Sequence, residues 1–473
     1  MKKKMKRVEK FLLDKMKESN LPGLSMAVIE GDSTIYSRGF GRREMASGKA
    51  ATARTLYGIG SITKSFTCLA LMQLQQEGEL NIDDPVGSYL DFDIEPGGKT
   101  VTIEHLMTHT SGIPGLAYAE AAILNSVGEK VEDVPIGDVE DMLTFMEDSR
   151  DWLETDPGQR WFYLNEGYVL LGGIIETVSG SSYEDYIGEN IFKPLGMERT
   201  YFSREEVEND DDAAIPYLVE GEERTPQDYL YGSITSDGGI ISCAEDMARY
   251  LQLYIKGGAE GVISSDSLRE MKKPRIPTPA RTLYQRQDAG DCVEADYSLE
   301  SRPRYYGYGL AREDDFLGYS KVGHGGSVLV STAQMDFIPE EELGVVILAN
   351  GSGYPLSQLS SYTLAVLLDE DPDRLHFRRA EIDLEKLAGR YEGYKGNYQL
   401  EIERSGDMLS LQNVSSSLGE KEMLIPDELG EKKLVFSALR GGRRVPVEFY
   451  RREDGIELLY GRYKLKKTPA PGD

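Results

Sequence analysis

The stretch from Tyr57 to Leu74, YGIGSITKSFTCLALMQL, sets the strongest constraint on the fold. Two glycines precede Ser61, and the run from Ile62 to Leu74 contains neither Gly nor Pro, so the pattern predicts a helix that begins at or beside Ser61. Apolar side chains at 62, 66, 69, 70, 71, 72 and 74 leave it little polar surface, which predicts a helix buried on most sides. Ser61 and Lys64 stand three residues apart and share a face of such a helix. Serine is a weak nucleophile without a nearby base. A lysine in water is mostly protonated, but burial disfavours its charged form and suits it to base chemistry. Ser-x-x-Lys is a short pattern, and a helix-capping serine beside a solvated lysine is the plain alternative.

A chain of 473 residues, 40% of them apolar, is long enough for a large core and two or three domains. Its 53 Lys and Arg against 81 Asp and Glu give a net charge of −28, which argues against nucleic acid or an anionic membrane as partner. The three cysteines, Cys68, Cys243 and Cys292, have no paired spacing, so neither a disulfide framework nor a zinc site is expected. No apolar segment follows the basic residues after Met1, and no apolar run of membrane-spanning length occurs. These features predict a cytoplasmic protein without metal or cofactor.

Along the chain, Val8, Phe11, Leu12 and Met16 recur at helical spacing. Leu24 to Glu30 and Thr34 to Gly41 read as a strand pair, and Gly78 as the cap of the Ser61 helix. His105 and His109, four apart on an expected helix, have the spacing of a two-histidine metal site, but no third ligand is evident and the structural reading is preferred. The acidic region from Leu116 to Asp156, which includes Glu132 and Asp133, reads as a solvated face. Tyr163 and Asn165 stand two apart just before an apolar helix. Ser242 to Glu245 reads as a capping box for the helix from Asp246 to Tyr254, and residues 272–303 as a surface insertion. Strand signals return between Tyr306 and Ala349, with Val322-Gly323-His324-Gly325-Gly326-Ser327 among them, and a helix from Pro355 to Leu368 closes the set. After the charged linker 369–373, short alternating segments with turns at Gly406, Gly430, Gly441-Gly442 and Gly455 predict an antiparallel sheet or small barrel.

Ser61-x-x-Lys64, Tyr163-x-Asn165 and His324-Gly325-Gly326, taken in that order, resemble the three motifs of the penicillin-recognising serine hydrolases, in the branch of class C β-lactamases, D-alanyl-D-alanine carboxypeptidases, D-aminopeptidases and related esterases. Leu106 to Gly112 (LMTHTSG) resembles a further signature of that family, and the likeness runs over roughly residues 8 to 368. The whole chain is most similar to archaeal CubicO-type serine peptidases, in which a lipocalin-like barrel follows the catalytic domain.

The resemblance implies an α/β (α+β) catalytic domain over residues 1–370, with an antiparallel sheet flanked by helices and an all-helical lobe, then a lipocalin-like β-barrel over 371–473. It implies that Ser61 forms an acyl-enzyme, that Lys64 and Tyr163 move the proton, that Asn165 holds Lys64 and the substrate amide, and that the backbone N–H groups of Ser61 and Ser327 form an oxyanion hole. His324 stands where many relatives have Lys and supplies a proton or charge only conditionally. Gly325 and Gly326 replace the usual Thr-Gly or Ser-Gly, removing a hydroxyl that binds a substrate carboxylate. The expected function is a homo-oligomeric serine hydrolase of small peptides or amides, with D-residue tolerance as an extension. An esterase or promiscuous β-lactamase, and a non-catalytic assembly or ligand-binding relative, remain as alternatives.

Overall fold

The computed structural model describes residues 1–129, 131, 136–232, 235–278, 304–405, 408–415, 421–430, 432–440, 443–453 and 455–468. Glu132, Asp133, Cys292, most of the 272–303 segment and the turns at Gly406 and Gly441-Gly442 lie outside them. The described residues form two compact units, 1–278 with 304–370, and 371–468.

The first unit is built on an eight-stranded antiparallel sheet. Its strands are β1 (Gly23–Glu30), β2 (Ser33–Gly41), β3 (Ile276–Pro277), β4 (Arg304–Tyr306), β5 (Ala311–Phe316), β6 (Tyr319–Ser327), β7 (Thr332–Ile338) and β8 (Leu343–Ala349), in the order β2-β1-β8-β7-β6-β5-β4-β3. β8 is buried along its whole length, as expected of a strand covered on both faces. Side chains alternate across the sheet. Phe337 meets Tyr254 of the helix Ala244–Lys256 on one face, and its neighbour Asp336 lies by Ser360 of the helix Leu356–Leu367 on the other. The amphipathic first helix, α1 (Lys2–Glu18), buries Met5, Val8, Phe11, Leu12 and Met16 and stacks Phe11 on Tyr362.

The central helix, α2 (Thr63–Glu77), buries every residue from Thr63 to Leu74 and ends at Gly78, whose φ of 81° is the left-handed cap that glycine adopts without strain. Each large apolar side chain fully buried there contributes roughly 1.5–3 kcal/mol. Ser61 itself precedes the α-helix, in a single 3-10 turn over Gly60–Ile62. Two further helices matter for the site, α3 (Ile103–Met107) and α4 (Asn165–Ser179).

Several local expectations change. Only His105 is helical. Its ring closes a reciprocal cap with Thr102, while His109 lies beyond the end of α3 with φ 58°. The pair therefore does not share a helix face, and no group of residues able to hold a metal occurs among the described residues. Ser242 does not cap the helix that follows. Cys243 is its N-cap and makes no side-chain cap bond, while Ser242 Oγ is 2.8 Å from Thr200 Oγ. Asn165 is the first residue of α4 rather than part of the loop before it.

The second unit opens with a helix that the strand-only reading left out, α5 (His376–Leu387). Eight strands from Gly389–Glu392 to Tyr463–Lys467 then pair each with the next and the last with the first, closing an antiparallel barrel. Tyr391, Leu400, Leu411, Leu424, Phe436, Val447, Phe449 and Leu458 fill its interior. No helix among the described residues is long and apolar enough to cross a membrane.

Candidate active site

Ser61 and Lys64 meet at the start of α2. Lys64 is fully buried, and its Nζ donates to Ser61 Oγ at 3.2 Å and to the carbonyl oxygen of Asp237 at 2.6 Å. A buried amine needs such partners, because a polar group left unpaired in the interior carries a desolvation cost. Lys64 Nζ also lies 5.0 Å from the centre of the Tyr163 ring and 5.4 Å from that of Tyr168, within cation–π range. Ser61, Tyr163 and Asn165 are each partly exposed, so an accessible hydroxyl sits above a buried amine.

β6 runs against the Ser61 turn. A methyl on Gly326 would lie 1.8 Å from the Ile59 carbonyl oxygen and 3.1 Å from Ser61 N, and one on Gly60 would lie 2.8 Å from Ser327 N. Only glycines permit this approach, and it brings the Ser61 and Ser327 backbone into one place. Gly325 faces the other way. It pairs with Gln334 on β7, and a methyl there would lie 2.9 Å from Gln334 Oε1.

His324 is 7% exposed. Its Nδ1 is 2.6 Å from the Gly325 carbonyl, which only accepts, so Nδ1 carries the hydrogen; Nε2, 2.9 Å from the Tyr306 hydroxyl, is then the acceptor. Burial and the nearby charge of Lys64 lower its pKa from 6.5 to about 4, the Gly325 hydrogen bond opposing them. His324 is thus neutral at pH 7, and its hydrogen-bond partner is Tyr306 rather than Tyr163, whose ring centre is 6.4 Å away. The second acceptor of Lys64 is the Asp237 backbone carbonyl.

Two residues absent from the sequence reading bond to the site, and a third is buried at the head of α4 next to Asn165. Tyr306 holds His324, and burial pushes its own phenol well up. Asp237 supplies the carbonyl to Lys64, and burial raises its carboxyl while the Lys64 charge lowers it. Glu166, buried and raised for the same first reason, accepts from Tyr118 N at 3.0 Å and ties the loop before Tyr118 to α4. The glycine pair after Asp237 was the one local signal for these three.

A serine and a buried lysine at the head of a core helix, a tyrosine over the lysine, and a glycine-bearing strand against the serine turn define the site of a penicillin-recognising serine hydrolase fold. The chain belongs to the Beta-lactamase family, whose profile matches residues 8–369; residues 372–466 match that of the Pab87 octamerisation domain. A solved structure described as the octameric penicillin-binding protein homologue from Pyrococcus abyssi is 41% identical, with a TM-score of 0.86 over 98% of this chain and 100% of that one. Protein flp of Staphylococcus aureus is 27% identical over 346 residues, 72% of this chain and 62% of that protein. The putative penicillin-binding protein PbpX of Bacillus subtilis is 33% identical over 247 residues, 51% and 57% of the two. The chain spans about three fifths of the length of these two curated relatives.

Proposed function

We propose that the protein is a serine hydrolase that cleaves small peptides or amides through an acyl-enzyme on Ser61. The observation that carries this reading is the 3.2 Å contact between the accessible Ser61 hydroxyl and the fully buried Lys64 amine. Ser61 Oγ attacks the carbonyl carbon, and its proton passes by way of Lys64 and Tyr163 to the leaving nitrogen, which departs as the amine. Water then attacks the ester, and the same pair returns a proton to Ser61. The N–H groups of Ser61 and Ser327 receive the developing oxyanion, and one such donor contributes about 3 to 4 kcal/mol in related chemistry. Asn165 faces the substrate amide from the head of α4.

The neutral ring of His324 bears on specificity. A site that reads a substrate carboxylate needs a fixed positive charge or hydroxyl donors, and positions 324 to 326 of β6, His324, Gly325 and Gly326, supply neither. The reading therefore favours peptides, amides or esters presented without a terminal carboxylate over carboxypeptidase or β-lactam substrates. Tolerance of D-amino acids belongs to the proposal through family membership alone. The barrel is proposed as an assembly module that makes the protein a homo-oligomer, supported by the octamerisation-domain match and the octameric relative. A cytoplasmic location is proposed on the unpaired, buried Cys68 and Cys243.

The test is intact-mass spectrometry after incubation with a fluorophosphonate and, separately, a penicillin, for the wild type and Ser61→Ala. A Ser61-dependent fluorophosphonate adduct with little penicillin adduct is expected. No adduct with either probe would overturn the hydrolase reading in favour of a binding or assembly protein.

A further inference from the structure

His109 takes no part in the chemistry above, yet it carries two local costs beside it. The residue is 1% exposed and its backbone is left-handed, at φ 58°. Its Nδ1 accepts from Leu164 N at 3.0 Å, so the neutral ring carries its hydrogen on Nε2, and Nε2 is buried with no partner. A buried donor left unpaired costs on the order of 1–3 kcal/mol. Such features persist where the surroundings over-determine them, and they concentrate at functional sites.

The surroundings here are the Tyr163 loop. Phe162 N donates to the His109 carbonyl at 2.8 Å, and Leu164 N donates to the His109 ring. The backbone on both sides of Tyr163 is therefore held by one residue. Gly158 N to Thr110 O and Glu154 N to Gly112 O continue the same seam. The His109 ring centre also lies 4.2 Å from that of Tyr163 and 4.9 Å from that of Tyr306, so it packs against both the tyrosine over Lys64 and the tyrosine that holds His324. The left-handed backbone is what allows one residue to present both its carbonyl and its ring to the same strand of chain.

We propose that His109 is the positioning residue of Tyr163: its carbonyl and Nδ1 clamp the backbone at 162 and 164, and its ring sets the plane in which the phenol hydroxyl reaches the leaving group. This deepens, and rests on, the reading of Ser61 as nucleophile and Tyr163 as proton carrier. A misplaced Tyr163 penalises a substrate whose leaving group must be protonated far more than one whose leaving group departs unaided.

The experiment compares His109→Asn with His109→Gly. Both residues tolerate the left-handed backbone; Asn Oδ1 falls where His Nδ1 lies and keeps the acceptor, whereas Gly removes it. Turnover of a peptide anilide and of a nitrophenyl ester is measured in the full-length protein, each rate divided by the amount of Ser61 that a fluorophosphonate labels. That division removes any loss of folded protein. For His109→Gly the anilide kcat is expected to fall by roughly tenfold or more relative to the ester kcat, with KM little changed. His109→Asn should restore most of the ratio. An anilide-to-ester ratio in His109→Gly equal to the wild type's would overturn the proposal while leaving Ser61 and Tyr163 in their roles. An unlabelled Ser61 in the wild type would instead remove the underlying reading, and the proposal with it. Should the glycine variant not fold, His109→Ser, whose hydroxyl falls short of Leu164 N, takes its place; if neither folds, His109 is a stability element and the proposal fails.

Discussion

The neutral state of His324 makes a measurable contribution to stability. In the unfolded chain its ring titrates near 6.5, and in the fold near 4, because it is buried and close to Lys64. The folded pKa is depressed for a base, so the stabilisation is complete above about pH 6.5 and is lost as pH falls through the window from 6.5 to 4. At about 1.4 kcal/mol for each pKa unit, the full window amounts to roughly 3 to 4 kcal/mol, most of which is gone by about pH 4.5. The comparison is His324→Gln, whose Oε1 falls near Nε2 and keeps the acceptor for Tyr306. Urea unfolding is followed between pH 7 and 4.5 by tryptophan fluorescence at equal chain concentration, since assembly makes stability depend on concentration. Both tryptophans, Trp152 and Trp161, belong to the first unit, so the signal reports that unit. His105 and His109, which burial also lowers, are shared by the two proteins and cancel in the difference. The wild type should lose about 2 to 3 kcal/mol more than the variant across that range. Parallel pH curves would refute the assignment of a neutral, buried His324.

Three further outcomes follow from the site and the barrel. Gly326→Ala should abolish Ser61 labelling and lower stability by about 1–3 kcal/mol or more, because its methyl would meet the Ile59 carbonyl at 1.8 Å; labelling at the wild-type rate would show that β6 need not lie against the Ser61 turn. Tyr163→Phe should lose anilide turnover by roughly 10² or more while keeping most activated-ester turnover, and loss of ester turnover alone would contradict its role as proton carrier. Truncation before Asp371 should reduce the mass measured by light scattering to that of a smaller assembly; an unchanged oligomer with an altered substrate range would make the barrel a lid instead.

What was legible in the sequence is what short-range periodicity encodes. The α2 run shows its burial because nearly every position is apolar, and the barrel shows its strands because Leu400/Ile402 and Val447/Phe449 alternate with polar neighbours. Ser61 and Lys64 could be paired because one helical turn separates them. α5 escaped because Leu384 and Leu387 are spread among charged residues directly after the 369–373 linker, where only the strand alternation further on gave a pattern. The Ser242 cap failed because a tertiary partner, Thr200, took the hydroxyl. Tyr306 and Asp237 were out of reach for a different reason. Each serves a residue far away in sequence, 18 positions for Tyr306 and His324 and 173 for Asp237 and Lys64, and the glycine pair after Asp237 marks a turn without telling which residue its carbonyl serves.

The charge of the site is decided at the same long range. From the sequence His324 stands in the place of a lysine, with a reference pKa that leaves its charge conditional near neutral pH. Two contacts remove the condition. The Gly325 carbonyl takes the Nδ1 hydrogen and Tyr306 supplies one to Nε2, so the neutral ring is fully satisfied, and a proton added to Nε2 would point at a hydroxyl that must first turn away. Protonation would also set a second buried cation beside Lys64, which itself lowers the ring's pKa. Lys64 thus has a neighbour that stays uncharged, which runs against placing a lysine at 324. His324→Lys would place an ammonium where Tyr306 and Lys64 now disfavour one, so it should destabilise the fold without conferring penicillin acylation. Penicillin labelling of a stably folded His324→Lys protein would show that the histidine governs carboxylate recognition alone.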